Sequence, residues 1–145
     1  MSKNKFSDFD LFASADAMNF GDIHVKIDAK TQLHAIIAIH STDLGPALGG
    51  CRCVSYSNSH AALYDALRLA QGMSYKAAIS GLCLGGGKSV LIRPPLIKDR
   101  DAYFESFGDF VEQMAGRYIT AVDSGTSVAD MDIIARRTSH VVSTS

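Results

Sequence analysis

Residues 33–40 read Leu-His-Ala-Ile-Ile-Ala-Ile-His, and the stretch from Ala35 to Ile39 is apolar without interruption. A run this short, rich in β-branched residues, reads as a strand buried on both faces. Strands of that kind belong to sheets with helices packed on both sides. The rest of the chain supplies such helices. Residues 23–27 alternate apolar with polar, as an edge strand does, and residues 89–92, 118–122 and 140–143 are further candidate strands. Between them, Leu63, Leu67 and Ala70 form a helical stripe that Ser57, Asn58 or Ser59 can cap. That helix runs on through residues 73–79 and carries Lys76 near its last turns. Phe104, Phe107, Val111 and Met114 recur at amphipathic spacing, opened by Asp99 or Asp101 and stopped by Gly116. Ser127-Val-Ala-Asp130 resembles a capping box that opens a helix through residues 130–137. Strands alternating with helices predict an α/β domain with parallel crossovers.

At 145 residues, 47% apolar and 20% charged, the chain is long enough for one domain with its own core. A net charge of -1 with scattered basic residues argues against a nucleic-acid partner. No apolar run reaches membrane-spanning length and the amino terminus lacks a signal-peptide core, so a cytoplasmic protein without a membrane partner is expected. Cys51, Cys53 and Cys83 are odd in number and lack a second ligand pair at zinc spacing, which makes them reduced structural thiols. His24, His34, His40, His60 and His140 share no spacing suited to a metal. Residues 1–22 read as a loose start with one short helix over residues 8–15, leaving 23–145 as the domain proper.

The stretch from Gly72 to Ile92 carries the chemistry. It holds Lys76 and Lys88 on either side of an apolar run and of Gly85-Gly86-Gly87. Consecutive glycines are costly to order and make sense where the backbone lies against something. Residues 85–88 read as a loop, as does the Gly/Pro-punctuated segment 41–52. Gly87-Lys88-Ser89 fits the tail of a phosphate-binding G-x-x-x-x-G-K-[ST] motif, but Leu82 occupies the place of its first glycine and the run precedes a strand instead of following one. A lysine held by rigid backbone near a second cation can serve as a base near neutral pH. A second lysine can hold a carboxylate, so the pair suits a small substrate bearing both a carboxylate and an amine or carbonyl. Asp123 follows an apolar strand, where open α/β sheets place their ligands. Gly49 and Gly50 can bring backbone amides close to a substrate.

Five segments together resemble the amino-terminal domain of the leucine/phenylalanine/valine dehydrogenases, relatives of glutamate dehydrogenase. They are Leu-Gly-Pro-Ala-Leu-Gly-Gly (44–50), Asp-Ala-Leu-Arg-Leu-Ala-x-Gly-Met-x-Tyr-Lys (65–76), Leu-Gly-Gly-Gly-Lys (84–88), Arg-Tyr-Ile-Thr-Ala (117–121) and Asp-x-Gly-Thr-x-Val-Ala-Asp-Met-Asp (123–132). The resemblance implies a three-layer α/β/α fold with a mixed, partly parallel sheet, a homo-oligomer, and NAD-dependent oxidative deamination of an L-amino acid to its 2-oxo acid. It implies that Lys88 is the general base, that Asp123 handles protons at the substrate amine, and that Lys76 binds the carboxylate. Gly49 and Gly50 would line the substrate, with Leu48, Met73 and Ala121 near its side chain.

The chain departs from the family pattern at Val122, where an acid is common, and at Pro94, where a small polar residue is usual. It stops near the point where the family passes to its Rossmann domain, and no G-x-G-x-x-G follows a strand. The expectation is therefore a substrate-binding and catalytic domain without the NAD domain, poorly active alone. The alternative is a non-catalytic relative that binds an amino acid or mediates oligomerisation.

Overall fold

The computed structural model describes residues 9–145. Among these, β1 (Asp22–Asp28), β2 (Leu33–Ile39), β3 (Ala47–Val54), β4 (Gly85–Ile92) and β5 (Tyr118–Val122) form one sheet in the order β1-β2-β4-β3-β5. β1 runs antiparallel to β2 and β2 to β4, while β3 is parallel to both β4 and β5. The helices are α1 (Leu11–Ala17), α2 (Ser59–Ile79), α3 (Arg100–Glu112) and α4 (Val128–Ile134).

The apolar run of β2 divides between two cores, as its two-sided burial requires. Leu33, Ala35, Ile37 and Ile39 join Tyr103, Phe104, Phe107 and Ile134 beneath α3 and α4. Ile36 and Ala38 point the other way, into Ala62, Ala66, Leu67 and Ala70 of α2, with Leu11 of α1 packed alongside. Alternation along a strand sends successive side chains to opposite faces. The result is the three-layer α/β/α fold with a mixed sheet.

Each long helix is fixed at its start by the residue type that physics favours there. The side chain of Asn58 accepts from Ala61 N at 2.8 Å, and that of Asp99 from Ala102 N at 3.0 Å. Ser127 and Asp130 form a reciprocal capping box at α4. Asp130 is 1% exposed and also receives both bonds of a bidentate Arg100 guanidinium at 2.7 Å, which ties α4 to the start of α3.

Several expected boundaries change. The segment 41–52 is a loop only over its first part, because Ala47–Val54 is the strand β3 that joins β4 to β5. Residues 85–88 are not a loop; they begin β4. Glycine is penalised in a free strand, but here close approach outweighs that cost. A Cβ on Gly86 would stand 2.1 Å from Ser74 N of α2, so only glycine lets α2 lie this close to the sheet. The amino-terminal helix lies at Leu11–Ala17, capped by Asp10, instead of at residues 8–15; positions 1–8 are outside the described residues. α4 stops at Ile134, and Arg136 and Arg137 continue as tight turns, their N–H groups donating to Ile133 O and Ile134 O. Residues 140–143 make an isolated bridge, Thr120 to Val141, in place of a full strand.

Candidate active site

Strand register gathers the polar residues on one face. Lys88 lies opposite Ala38, and Arg52 opposite Val90, both of which face α2. Gly50 precedes Arg52 by two and pairs with Ala121, which precedes Asp123 by two. Lys88, Leu48, Gly50, Arg52, Ala121 and Asp123 therefore share the α2 side of the sheet. α2 packs over β4 and β2 and reaches β3 only at its margin, so among the described residues this side of β3 and β5 is only marginally covered by helix.

There Lys88, 6% exposed, forms an ion pair with Asp123 Oδ2. The other oxygen, Oδ1, accepts from Ser124 N at 2.7 Å. Burial raises the Asp123 carboxyl, but the Lys88 ammonium, the Ser124 N–H and the Arg52 guanidinium outweigh it and hold the group below the usual carboxylate range. The loop bearing Asp123 is fastened to β3: Cys53 N donates to Ser124 O at 2.9 Å, and the Thr126 hydroxyl reaches Cys51 O at 3.0 Å. Gly125, with φ of +80°, lies so near Cys53 O that an added Cβ would be 1.8 Å from it.

Leu48, Met73 and Lys76 meet elsewhere on the same side. With Ala77, Leu84 and Gly85 they line a depression of about 210 Å³ beside the end of α2, and Lys76 is exposed at it. Gly50 is buried against Asp123, whereas Gly49 is buried with its carbonyl turned to the core, where the Tyr118 hydroxyl donates to it at 2.7 Å. Ala121 is half-buried beside Gly50.

Sequence reasoning did not single out Arg52. Its Nε is 3.7 Å from Asp123 Oδ2 and its Nη1 is 3.3 Å from Asp65 Oδ2 on α2. Asp65 in turn accepts from the Tyr56 hydroxyl at 2.6 Å and from Arg68 at 2.8 Å. Reading residues 47–54 as a strand would have put Arg52 on the face of Gly50 by the period of two. Among the described residues, no group of three His, Cys, Asp or Glu is placed to hold a metal, and no helix is long and apolar enough to cross a membrane.

Residues 18–140 match the family model described as Glu/Leu/Phe/Val dehydrogenase, dimerisation domain. The chain belongs to this family. It is 50% identical over 132 residues to leucine dehydrogenase of Geobacillus stearothermophilus, covering 91% of this chain and 36% of that protein. It is 52% identical over 109 residues to valine dehydrogenase of Streptomyces albus, covering 75% of this chain and 30% of that one. The crystal structure of L-tryptophan dehydrogenase from Nostoc punctiforme superimposes with a TM-score of 0.87 at 40% identity, over 91% of this chain and 39% of that chain. The chain thus spans about a third of the length of these dehydrogenase relatives, and the match extends over the whole sheet and the α2 face that carries Lys88 and Asp123.

Proposed function

We propose that this dehydrogenase-family domain holds an apolar L-amino acid, or its 2-oxo acid, and supplies the acid–base groups for their NAD-dependent interconversion with release or uptake of ammonia. The observation that carries this reading is the ion pair of buried Lys88 with Asp123, on the same side of the sheet as a largely apolar depression at which Lys76 is exposed. An amino acid brings three features, and the site has a counterpart for each. Its carboxylate suits the Lys76 ammonium, its amine suits the Asp123 carboxylate, and its side chain suits Leu48, Met73 and Ala121. Gly50 leaves room for the Asp123 side chain, while Gly49 is buried with its carbonyl turned to the core. Asp123 exchanges protons with the amine, and Lys88, once neutral, takes a proton from the water that adds across the C=N bond of the iminium left when the α-carbon has lost its hydride.

Nicotinamide chemistry supplies the hydride acceptor in such a reaction, but the residues described here do not fit that group. The glycine run lies inside β4 and is packed against backbone, with Gly85 against Ser41 O and Gly86 against Ser74 N, so it offers no cradle for a pyrophosphate. What these residues contribute is substrate binding and proton transfer.

A second copy of the chain is the partner this reading favours. β1 is an edge strand whose Val25 and Ile27 are 64% and 72% exposed, an apolar edge of the kind that pairs with another strand. This feature also suits the alternative of a non-catalytic binding or oligomerisation module. Titrating L-leucine, L-valine or 4-methyl-2-oxopentanoate into the ¹⁵N-labelled chain tests the substrate reading. Saturable shifts at Gly50 and Ala121, abolished by Lys76→Ala, are expected; no saturable response to any apolar amino acid or oxo acid would overturn it.

A further inference from the structure

Arg52 carries an unusual buried donor. Its Nε–H is shielded from solvent and makes no hydrogen bond among the described residues, while Asp123 Oδ2 stands 3.7 Å away, just beyond bonding range. A buried donor without an acceptor is costly and rare in a native fold, so it asks for a purpose. The rest of the guanidinium is anchored. Nη1 is directed to Asp65 Oδ2 at 3.3 Å, and Asp65 is itself held by Tyr56 and Arg68. Arg52 is thus fixed from α2 and aimed at an oxygen that Lys88 at present occupies.

We propose that Arg52 is a positioning residue for Asp123: aimed by Asp65, it takes the carboxylate when Lys88 gives up its proton, so that the acid keeps a cationic partner while the base is in its working state. The inference rests on the catalytic reading of Lys88 and Asp123 given above. A base must be neutral to accept a proton, and a neutral Lys88 leaves Asp123 as a half-buried anion without its main partner. A guanidinium does not release its proton in proteins, and it therefore remains a cation throughout the cycle. A movement of well under 1 Å would bring Nε and Oδ2 within hydrogen-bond range. The other groups near Asp123 cannot take this part. The Cys51 thiol and the Tyr118 phenol lie in the core on the opposite face of the sheet, where burial pushes both up and keeps them uncharged, and the Ser124 N–H already serves Oδ1.

The test uses the chain with Lys88→Met, which fixes the neutral state of the base, and follows the ¹³C carboxyl titration of Asp123, assigned by its loss in Asp123→Asn. Adding Arg52→Gln is expected to move the Asp123 midpoint upward, Arg52→Lys to bring it part of the way back, and Asp65→Asn to give a smaller upward shift. An Asp123 midpoint that is the same with and without Arg52 would overturn the proposal. Should Arg52→Gln not fold, an unchanged midpoint in Asp65→Asn overturns it equally. A merely structural Arg52 would lower the melting temperature and leave the titration where it was. Failure of the catalytic reading shows elsewhere, as absent amino-acid binding, and does not alter this titration.

Discussion

The Asp123 side chain occupies the space that any residue but glycine at position 50 would fill: a Cβ on Gly50 would stand 2.7 Å from Asp123 Cβ and 2.9 Å from its Oδ2. Gly50→Ala should therefore displace Asp123 from Lys88. The expected cost is about 1–3 kcal/mol, as for other overpacked sites, measured by urea unfolding. The same variant should raise the Asp123 titration midpoint and weaken amino-acid binding. An alanine variant with wild-type binding and titration would show that Asp123 has another place to go.

Lys88→Met leaves a half-buried carboxylate short of its main partner. Breaking a buried ion pair in this way costs about 3–5 kcal/mol, and the loss here should fall at the low end, because Arg52 still faces Asp123. Removing the orphaned charge as well, in Lys88→Met with Asp123→Asn, should recover part of the stability. Chemical denaturation of the single and double variants distinguishes a charge penalty from lost packing, since packing loss would not be recovered.

Acid should unfold the domain through its buried and half-buried carboxylates. For Asp65, Asp123 and Asp130, burial raises the carboxyl, yet their bonds to Tyr56, Lys88 and Arg100 and to neighbouring donors outweigh it and leave each below its ordinary value. A folded pKa below the unfolded value of about 3.9 means that the stabilisation is fully present above that value and is lost as pH falls through the folded one. The melting temperature should thus change little on this account between pH 7 and about 5 and drop steeply below about 4. Arg100→Gln, which takes away the bidentate partner of Asp130, should make the drop shallower; an equally steep decline would remove Asp130 from the explanation.

Charges on the β1 edge should keep the chain apart from its copies. Val25→Lys together with Ile27→Glu alters exposed side chains and should leave the melting temperature within about 1 kcal/mol equivalent of wild type. Light scattering should then show the smaller species. Wild-type chain that is monomeric at high micromolar concentration would refute this interface.

Where side-chain pattern carried the signal, the chain could be read without its structure. The β5 strand, a cap among Ser57, Asn58 and Ser59 and another at Asp99 or Asp101, of which the structure uses Asn58 and Asp99, the Ser127/Asp130 box and the buried Phe104, Phe107, Val111 and Met114 all follow from local periodicity and local hydrogen bonding. β3 and the start of β4 did not, because Gly49, Gly50 and Gly85–Gly87 have no side chains to show a period, and their reason for being glycine lies in distant partners. A Cβ on Gly49 would strike Gly87 O, and one on Gly86 would strike α2. The alternation of residues 23–27 already reads as an edge strand, which the sheet order bears out; the structure adds that Val25 and Ile27 are exposed there.

By itself the sequence determined the α/β class, the presence of the long helices, the capping box at Ser127 and Asp130, the apolar strand through the middle of the sheet, and Lys76, Lys88 and Asp123 as the residues to watch, since each of these depends on residue type and near neighbours. The tertiary structure decided that Lys88 and Asp123 pair, that Lys76 is exposed at a separate depression with Leu48 and Met73, and that Arg52 stands behind the acid. Those relations join strands far apart in the chain. They are set by sheet register and by how closely glycine lets backbones approach, and neither is written in any local stretch of residues.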